Sequence, residues 1–220
     1  MEKPKILFQD DNIIVAYKPY GVLSEESDSK PDMPSALREL TGGDRVYTVH
    51  RLDRTTQGLM VYAKTPGAAK RLGDIFQRGE VEKRYLAVVQ RVPVPESGEL
   101  CDLLYFDRRK NKSYVVSRER RGVKEARLSY ETLATVQEDG EDISLLSVRL
   151  HTGRTHQIRV QFASRKMPLA GDCRYGSTIR CEQIMLCSAH LSFTHPFTGE
   201  KLSFSYEPTN ELFGLFNINA

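Results

Sequence analysis

Residues 50–64 read HRLDRTTQGLMVYAK, which places one carboxylate between two arginines just ahead of an apolar run. The run at residues 59–63 does not alternate between polar and apolar side chains, and this is typical of a strand buried on both faces. The loop before such a strand is anchored at the centre of a sheet, so it can aim one side chain. We therefore expect Asp53 to act as an anion. The alternative is that Asp53 caps a turn and pairs with Arg51 or Arg54.

The composition is that of an ordinary folded chain with little net charge. Of 220 residues, 40% are hydrophobic and 28% are charged, and the formal net charge is +3. The chain has no run of about 18 apolar residues and no basic leader followed by an apolar stretch, so the sequence predicts neither a membrane span nor export. We expect a cytoplasmic protein. Since no linker or repeat divides the chain, we expect a single domain over residues 1–220.

The cysteines form no C-x-x-C pair, which favours reduced thiols in a chain that is not exported. They are Cys101, Cys173, Cys181 and Cys187. A zinc site formed by the last three with His190 matches no familiar spacing, so we expect no metal. Buried core cysteines are the alternative.

Positive charge is concentrated between residues 108 and 124, where eight basic side chains accompany one acidic one. The short apolar strand at residues 114–116 lies inside this segment. The pattern predicts a basic β-ribbon that follows phosphates, and a solvated hairpin tip is the alternative. The candidate nucleic-acid-binding residues here are Arg108, Arg109, Lys110 and Lys112.

The remaining pattern predicts many strands and few helices. Hairpins are predicted at 6–9 with 12–17 and at 125–136 with 142–150, a strand at 81–90, helices at 34–40 and 67–78, and later strands near 183–193 and 201–206. Alternation along residues 81–90 places Tyr85 on a face that is able to line a cleft. Strands and helices do not alternate regularly, so we predict an α+β fold with a mixed, largely antiparallel sheet, flanking helices and a central catalytic cleft.

A second cluster of polar residues, LHTGRTHQIRVQFA, occupies residues 150–163. Thr152 is a plausible cap for a helix that runs to about residue 165. On that helix Arg154, Ile158 and Phe162 share one face. Arg154 would then begin an apolar stripe.

An arginine that faces the interior needs a carboxylate, because an unpaired buried charge costs several kcal/mol or more. Asp53 is the partner that we expect for Arg154. The alternative is an exposed arginine in the first turn, where a cation interacts poorly with the helix dipole. Three further side chains are expected to project toward a polar ligand: His156, Gln157 and Arg159.

Taken together, these segments resemble the RluA family of pseudouridine synthases. Residues 50–54 are similar to its H-R-L-D signature, residues 83–85 to its K-x-Y strand, and residues 151–159 to its T-G-R-x-H-Q-I-R helix. Further likeness at residues 17–21, 171–176 and 195–200 extends the resemblance over nearly the whole chain.

Two residues depart from the family pattern. Gln57 stands where the family usually has Ser, and Cys187 stands where its late L-H-A motif usually has His. The resemblance begins near residue 6, so we expect no N-terminal RNA-binding module of the kind that many relatives carry.

The resemblance implies that the chain isomerises uridine to pseudouridine in ribosomal or transfer RNA. The N1–C1′ bond breaks and a C5–C1′ bond forms, so nothing is oxidised and no cofactor is implied. Asp53 would be the nucleophile at C1′, or assist departure of the base, or attack C6 of uracil. Tyr85 would stack on the uracil and Arg154 would hold Asp53. Arg51 resembles the residue that fills the space left by a flipped base.

Two other classes of function remain as alternatives at this point. In an RNA-binding or RNA-folding protein without catalysis, Asp53 and Arg154 would form only a structural ion pair. A phosphotransfer enzyme or metal-dependent nuclease is disfavoured, since Asp53 has no second carboxylate nearby in sequence and the chain has no glycine-rich phosphate loop. The resemblance implies no obligate protein partner.

Overall fold

The computed structural model describes residues 2–43 and 45–216, which form two compact units. The first unit contains the described residues up to 83 together with residues 187–206, and the second contains residues 84–186 and 207–216. The expectation of a single domain stays a prediction.

The described residues form eleven strands and three α-helices. In chain order they are β1 (Lys5–Gln9), β2 (Ile13–Lys18), α1 (Met33–Thr41), β3 (Tyr47–Thr48), β4 (Gln57–Ala63), α2 (Pro66–Gln77), β5 (Glu82–Gln90), β6 (Ser97–Asp107), β7 (Lys112–Val116), β8 (Val123–Glu138), β9 (Glu141–Leu150), α3 (Gln157–Ser164), β10 (Leu186–Thr194) and β11 (Lys201–Ser205).

Strand β4 lies at the centre of the sheet of the first unit. It pairs antiparallel with β2 and β3 and parallel with β10, and all seven of its residues are buried. Gly58 has φ +119°, and a Cβ at this position would clash with the backbone of Ser188. Only glycine allows β4 and β10 to approach this closely. The prediction of a strand buried on both faces is confirmed.

Helix α2 covers this sheet through Ala68, Leu72 and Ile75, which pack among buried residues of β2, β4 and β10. Each of the first two helices begins at a residue whose side chain caps it. Asp32 accepts a hydrogen bond from Ser35 N–H, and Thr65 accepts one from Ala68 N–H. Both predicted helices are therefore confirmed, with ends shifted by one residue.

The second unit contains an antiparallel sheet in the order β5-β9-β8-β6-β7. The predicted hairpin of β8 and β9 is confirmed, whereas β6 was not predicted. The predicted basic ribbon is present: its tip, residues 108–111, joins β6 to β7, and further basic residues lie in the loop before β8. Helix α3 packs against β6 and β7. The α+β class with a mixed sheet is confirmed.

The third helix does not begin where the sequence predicts. It starts at Gln157, after His156 in the left-handed conformation with φ 54°, so Thr152 is not its cap. The preceding residues form a turn in which Thr152 and the N–H of Arg154 both donate to Gln157 Oε1. Arg154 therefore lies before the helix rather than on its apolar face, and the predicted stripe with Ile158 is wrong.

Within the portion of the chain that the structure describes, no helix has the length and apolarity needed to cross a membrane.

Candidate active site

Asp53 lies half-buried on the loop between β3 and β4. The loop closes in a turn, in which Thr56 N–H donates to Asp53 C=O at 2.9 Å. The next peptide group is bonded to a segment outside the loop, since Gly21 N–H donates to Arg54 C=O at 2.8 Å. Backbone hydrogen bonds thus fix the main chain on the C-terminal side of the carboxylate, as the position before a central strand led us to expect.

His50 fixes the start of the same loop. Its Nε2 accepts a hydrogen bond from Val61 N–H at 3.1 Å, and its ring stacks on Phe76 with 4.4 Å between ring centroids. Burial, followed by the charge of Lys83, lowers the pKa of His50 to about 3. The imidazole is therefore neutral at physiological pH and keeps the lone pair that accepts from β4.

Lys18, at the end of β2, is a buried cation beside this loop that the sequence analysis did not select. Its side chain is fully buried, and Nζ donates to the carbonyls of Pro19 at 3.0 Å and Val22 at 2.8 Å. Burial lowers the pKa of Lys18 to about 7, while the Asp53 carboxylate raises it and the Arg54 guanidinium lowers it. The Lys18 ammonium and the Asp53 carboxylate therefore attract each other.

The titration of Lys18 provides a test of this electrostatic contact. We expect Lys18 to titrate near pH 7, since its pKa is lowered to about 7, and to titrate at lower pH in Asp53→Asn. Among the described residues, Asp53 is the only charge that raises this pKa, so in the amide variant burial and Arg54 act unopposed. NMR of the Lys18 side chain measures both values, and Asp74→Asn, at an exposed position on α2, is the control. An unchanged Lys18 titration in Asp53→Asn would contradict the contact.

Arg51 is solvent-exposed next to the carboxylate. Its Nη1 lies 2.9 Å from Glu25 Oε2, and the two side chains are 64% and 58% exposed. A surface ion pair of this kind contributes about 0–1 kcal/mol, so it does not prevent Arg51 from contacting RNA. The predicted wedge role stays a prediction that this exposure supports.

In the second unit, the turn before α3 holds Arg154. Its Nε–H donates to Glu125 C=O at 2.9 Å, and its N–H donates to Gln157 Oε1 at 3.0 Å. Gln157 also donates to Arg127 C=O at 3.1 Å, which ties the turn to β8. The backbone and Nε of Arg154 are thus fixed, and its pairing with Asp53 stays a prediction.

His156, Gln157 and Arg159 are all buried, so none of them projects into solvent, and their projection toward a polar ligand stays a prediction. Arg159 forms two hydrogen bonds with Asp172, from Nε to Oδ2 at 2.6 Å and from Nη2 to Oδ1 at 2.9 Å, and both side chains are at most 4% exposed. A buried guanidinium needs a carboxylate of this kind. RNA contact by His156 and Arg159 stays a prediction that this burial does not support.

The ring of Tyr175 organises the same region. Its hydroxyl lies 3.0 Å from His156 Nδ1 and accepts from Ser113 N–H at 2.7 Å, and the Arg159 guanidinium lies 5.1 Å from the ring centroid. His156 and Arg159 therefore contact Tyr175, which in turn is hydrogen-bonded to Ser113 of strand β7. Burial raises the pKa of Tyr175, so its hydroxyl keeps its proton.

Tyr85 lies on β5, opposite Val148 of β9, and is 7% exposed. The predicted strand is present, and its alternation places Tyr85 and Ala87 on the same face. The proposed contact of the Tyr85 ring with uracil stays a prediction.

At the tip of the β6–β7 hairpin, Arg108, Arg109 and Lys110 are exposed. Among the described residues, none of these three cations forms an ion pair. Lys112 differs from them, because its Nζ donates to Arg174 C=O at 2.7 Å and lies 5.0 Å from the Tyr175 ring centroid. The three tip cations are thus available to an anion, while Lys112 also holds the hairpin in place.

The cysteines show no sign of activation as metal ligands. Burial raises the pKa of the Cys187 thiol far above its usual range, and burial followed by the charge of Glu211 raises the pKa of Cys181 to about 11. No three metal-ligating side chains converge in residues 2–43 and 45–216.

Sequence comparison gives a consistent family. Residues 12–164 match the family described as RNA pseudouridylate synthase. The chain is 29% identical to the tRNA pseudouridine synthase C of Salmonella typhi, with 90% of this chain and 83% of that protein covered. It is 30% identical to the ribosomal large subunit pseudouridine synthase D of Zymomonas mobilis, with 97% of this chain and 72% of that protein covered.

A solved structure has the same fold. The human RNA pseudouridylate synthase domain containing 1 superposes with a TM-score of 0.80 at 22% identity, covering 94% of this chain and 84% of that one. At this identity the likeness establishes the fold, which agrees with the prediction from the sequence motifs.

Proposed function

Since the chain belongs to the RNA pseudouridylate synthase family, we propose that Asp53 is the nucleophile with which it isomerises uridine in RNA to pseudouridine. The observation that carries this proposal is the placement of the carboxylate. Asp53 is half-buried on a loop whose flanking peptides are hydrogen-bonded to the body of the first unit. Because the loop is already ordered, the reaction does not include the entropy cost of ordering it, and this lowers the activation barrier.

The reaction needs only an anion and proton transfer. Asp53 attacks C1′ of the ribose, as a carboxylate does in retaining glycosidases, and the N1–C1′ bond breaks. The detached uracil turns, C5 bonds to C1′, the carboxylate leaves, and the C5 proton is lost while N1 is protonated.

We assign supporting roles to two residues of the second unit. Arg154 orients Asp53 through its guanidinium, a task for which a planar two-pronged donor is suited. Tyr85 stacks on the uracil and takes part in removing the C5 proton.

A uridine must leave its stack to reach the carboxylate, and Arg51 is proposed to occupy the space that the base leaves. The relatives' names supply two classes of substrate, transfer RNA and ribosomal RNA. We propose a structured RNA of one of these classes, and with it a cytoplasmic site of action.

Phosphate contacts are proposed for the hairpin tip. We expect Arg108→Ser, Arg109→Ser and Lys110→Ser combined to weaken RNA binding and to reduce the slope of log K against log salt by about 0.7 to 0.9 for each lost contact. The rate constant on saturating enzyme should hardly change. Lys112 is left intact because it holds Arg174.

The matched control for the hairpin tip removes the same positive charge elsewhere, by changing Lys3, Lys30 and Lys70, all exposed, to Ser. Binding is measured by RNA titration at several salt concentrations. An equal loss of slope in both variants would assign the effect to net charge rather than to contacts at the tip.

The experiment that tests the proposed function maps pseudouridine in total cellular RNA after incubation with the purified protein, with and without EDTA. We expect new pseudouridine at a defined site in one RNA, unaffected by EDTA. Binding without any new pseudouridine would favour the RNA-binding alternative, and activity restored by added metal would favour metal-dependent chemistry.

A further inference from the structure

We propose that Ser24 is a positioning residue for the nucleophile, because its hydroxyl holds the peptide groups of the residue before Asp53. This inference rests on the proposed function of Asp53. It concerns a serine that makes no contact with the reacting atoms and acts through Leu52.

The hydroxyl of Ser24 bridges the backbone of Leu52. Its Oγ donates to Leu52 C=O at 2.8 Å and accepts from Leu52 N–H at 3.0 Å. Ser24 is 4% exposed and Leu52 is 7% exposed, so water does not readily replace these bonds. The side chain thus takes the place of a neighbouring strand, pairing with both polar groups of one residue.

Ser24 is itself anchored to the central strand. Its carbonyl accepts hydrogen bonds from Tyr62 OH and from Thr48 Oγ1, each at 3.2 Å. Tyr62 lies within β4 and is fully buried, and burial raises its pKa well above the usual range, so its hydroxyl remains a donor. The contacts therefore run without a break from β4 through Ser24 to Leu52.

The same segment also holds the other side of the nucleophile. Gly21 N–H donates to Arg54 C=O at 2.8 Å, so residues 21–24 bond to both neighbours of Asp53. Lys18 stiffens this segment by donating to the carbonyls of Pro19 and Val22. Loss of the Ser24 hydroxyl would release one side of the clamp and leave two buried backbone groups without partners.

Ser188 provides a matched comparison within the first unit. It is 2% exposed, and its hydroxyl donates to Leu59 C=O inside β4 at 3.1 Å. Removing this hydroxyl costs a buried hydrogen bond in a strand that is already paired on both sides. A structural effect alone would therefore appear in Ser188→Ala as well as in Ser24→Ala.

The experiment compares Ser24→Ala with Ser188→Ala on a modified RNA site. We expect Ser24→Ala to lower the single-turnover rate constant at saturating enzyme by about 10- to 100-fold, because a misplaced nucleophile loses productive geometry. The KM for RNA should stay within about threefold. Ser188→Ala should keep the rate within about twofold of wild type. Its melting temperature should fall by about as much as that of Ser24→Ala.

Amide hydrogen exchange tests the clamp without any turnover. The Leu52 amide should exchange at least about tenfold faster in Ser24→Ala than in the wild type, and at the wild-type rate in Ser188→Ala. Ser24→Thr, which keeps the hydroxyl, should recover most of the rate. Ser24→Cys, nearly the same size but a weaker donor, is the second variant if Ser24→Ala does not fold.

A rate within about twofold of wild type in Ser24→Ala, or in Ser24→Cys where the alanine variant does not fold, would overturn the proposal, as would unchanged Leu52 exchange in that variant. These outcomes are distinct from failure of the proposed function, in which the wild-type protein forms no pseudouridine or Asp53→Ala retains turnover.

Discussion

Asp53→Asn is expected to lower the single-turnover rate constant for pseudouridine formation by at least about 10⁴-fold. The amide has the size and shape of the carboxylate, so the loop should keep its hydrogen bonds through Thr56 and Gly21, which are made by the backbone. The amide is neutral and a poor nucleophile, and therefore cannot form a bond to C1′. The rate is measured on saturating enzyme with an RNA that the wild type modifies.

RNA affinity is the control readout for this prediction. The affinity of Asp53→Asn should stay within about threefold of wild type, because the carboxylate performs chemistry and makes no favourable contact with phosphates. Asp74→Asn, at an exposed carboxylate on α2, should be indistinguishable from wild type in both measurements. Retained turnover in Asp53→Ala would contradict the proposed mechanism, since alanine has no group that can replace the anion.

The loop of Asp53 could be predicted because its determinants are local in sequence. All seven residues of β4 are buried, and the uninterrupted apolar run at residues 59–63 is the part of the sequence that indicates burial on both faces. A polar residue just before such a run must lie where the strand enters the sheet. The position of Asp53 therefore followed from its neighbours along the chain.

Strand β6 and the start of α3 depend instead on distant residues. Strand β6 pairs with β8, about 25 residues along the chain, and most of its side chains are exposed or half-buried, so it shows little periodicity. In the turn before α3, Gln157 bonds to Thr152, Arg154 and Arg127 and so replaces the helical start that Thr152 suggested. Tertiary contacts override local propensity in both places.

Two of the residues that the sequence analysis missed have backbone groups as their partners. Ser24 and Lys18 bond to backbone carbonyls. Every residue has such a group, so the sequence does not indicate which carbonyl accepts the hydrogen bond. Asp172 was noted only within a motif, although it neutralises Arg159. Lys18 itself offered a usable signal. It follows five buried residues of β2 and precedes a proline turn. A lysine in this position has its charge inside the protein unless its long side chain bends toward solvent.

Arg154→Lys should keep the charge but lower the single-turnover rate constant by about 100-fold. The guanidinium donates from Nε to Glu125 C=O, and because the group is planar, this bond restricts the directions that its two Nη groups can take. A lysine ammonium is not planar and has no pair of donors in a fixed relation to Nε. It can therefore bond to Glu125 C=O or reach toward the Asp53 carboxylate, but the bond to Glu125 does not orient it toward Asp53. The rate is measured at saturating enzyme, with RNA affinity as the control for folding and docking.

Arg127→Lys is the matched variant for Arg154→Lys. Arg127 lies on β8, close to Arg154 in the second unit, but its side chain is 50% exposed and lies 3.6 Å from Glu99 in a surface ion pair. Exchange of arginine for lysine there should leave the rate within about twofold, because an exposed pair contributes little. A near-normal rate in Arg154→Lys would mean that charge alone is sufficient. In that case Arg154 would not orient Asp53, and the backbone clamp on Leu52 and Arg54 would have to position the nucleophile by itself.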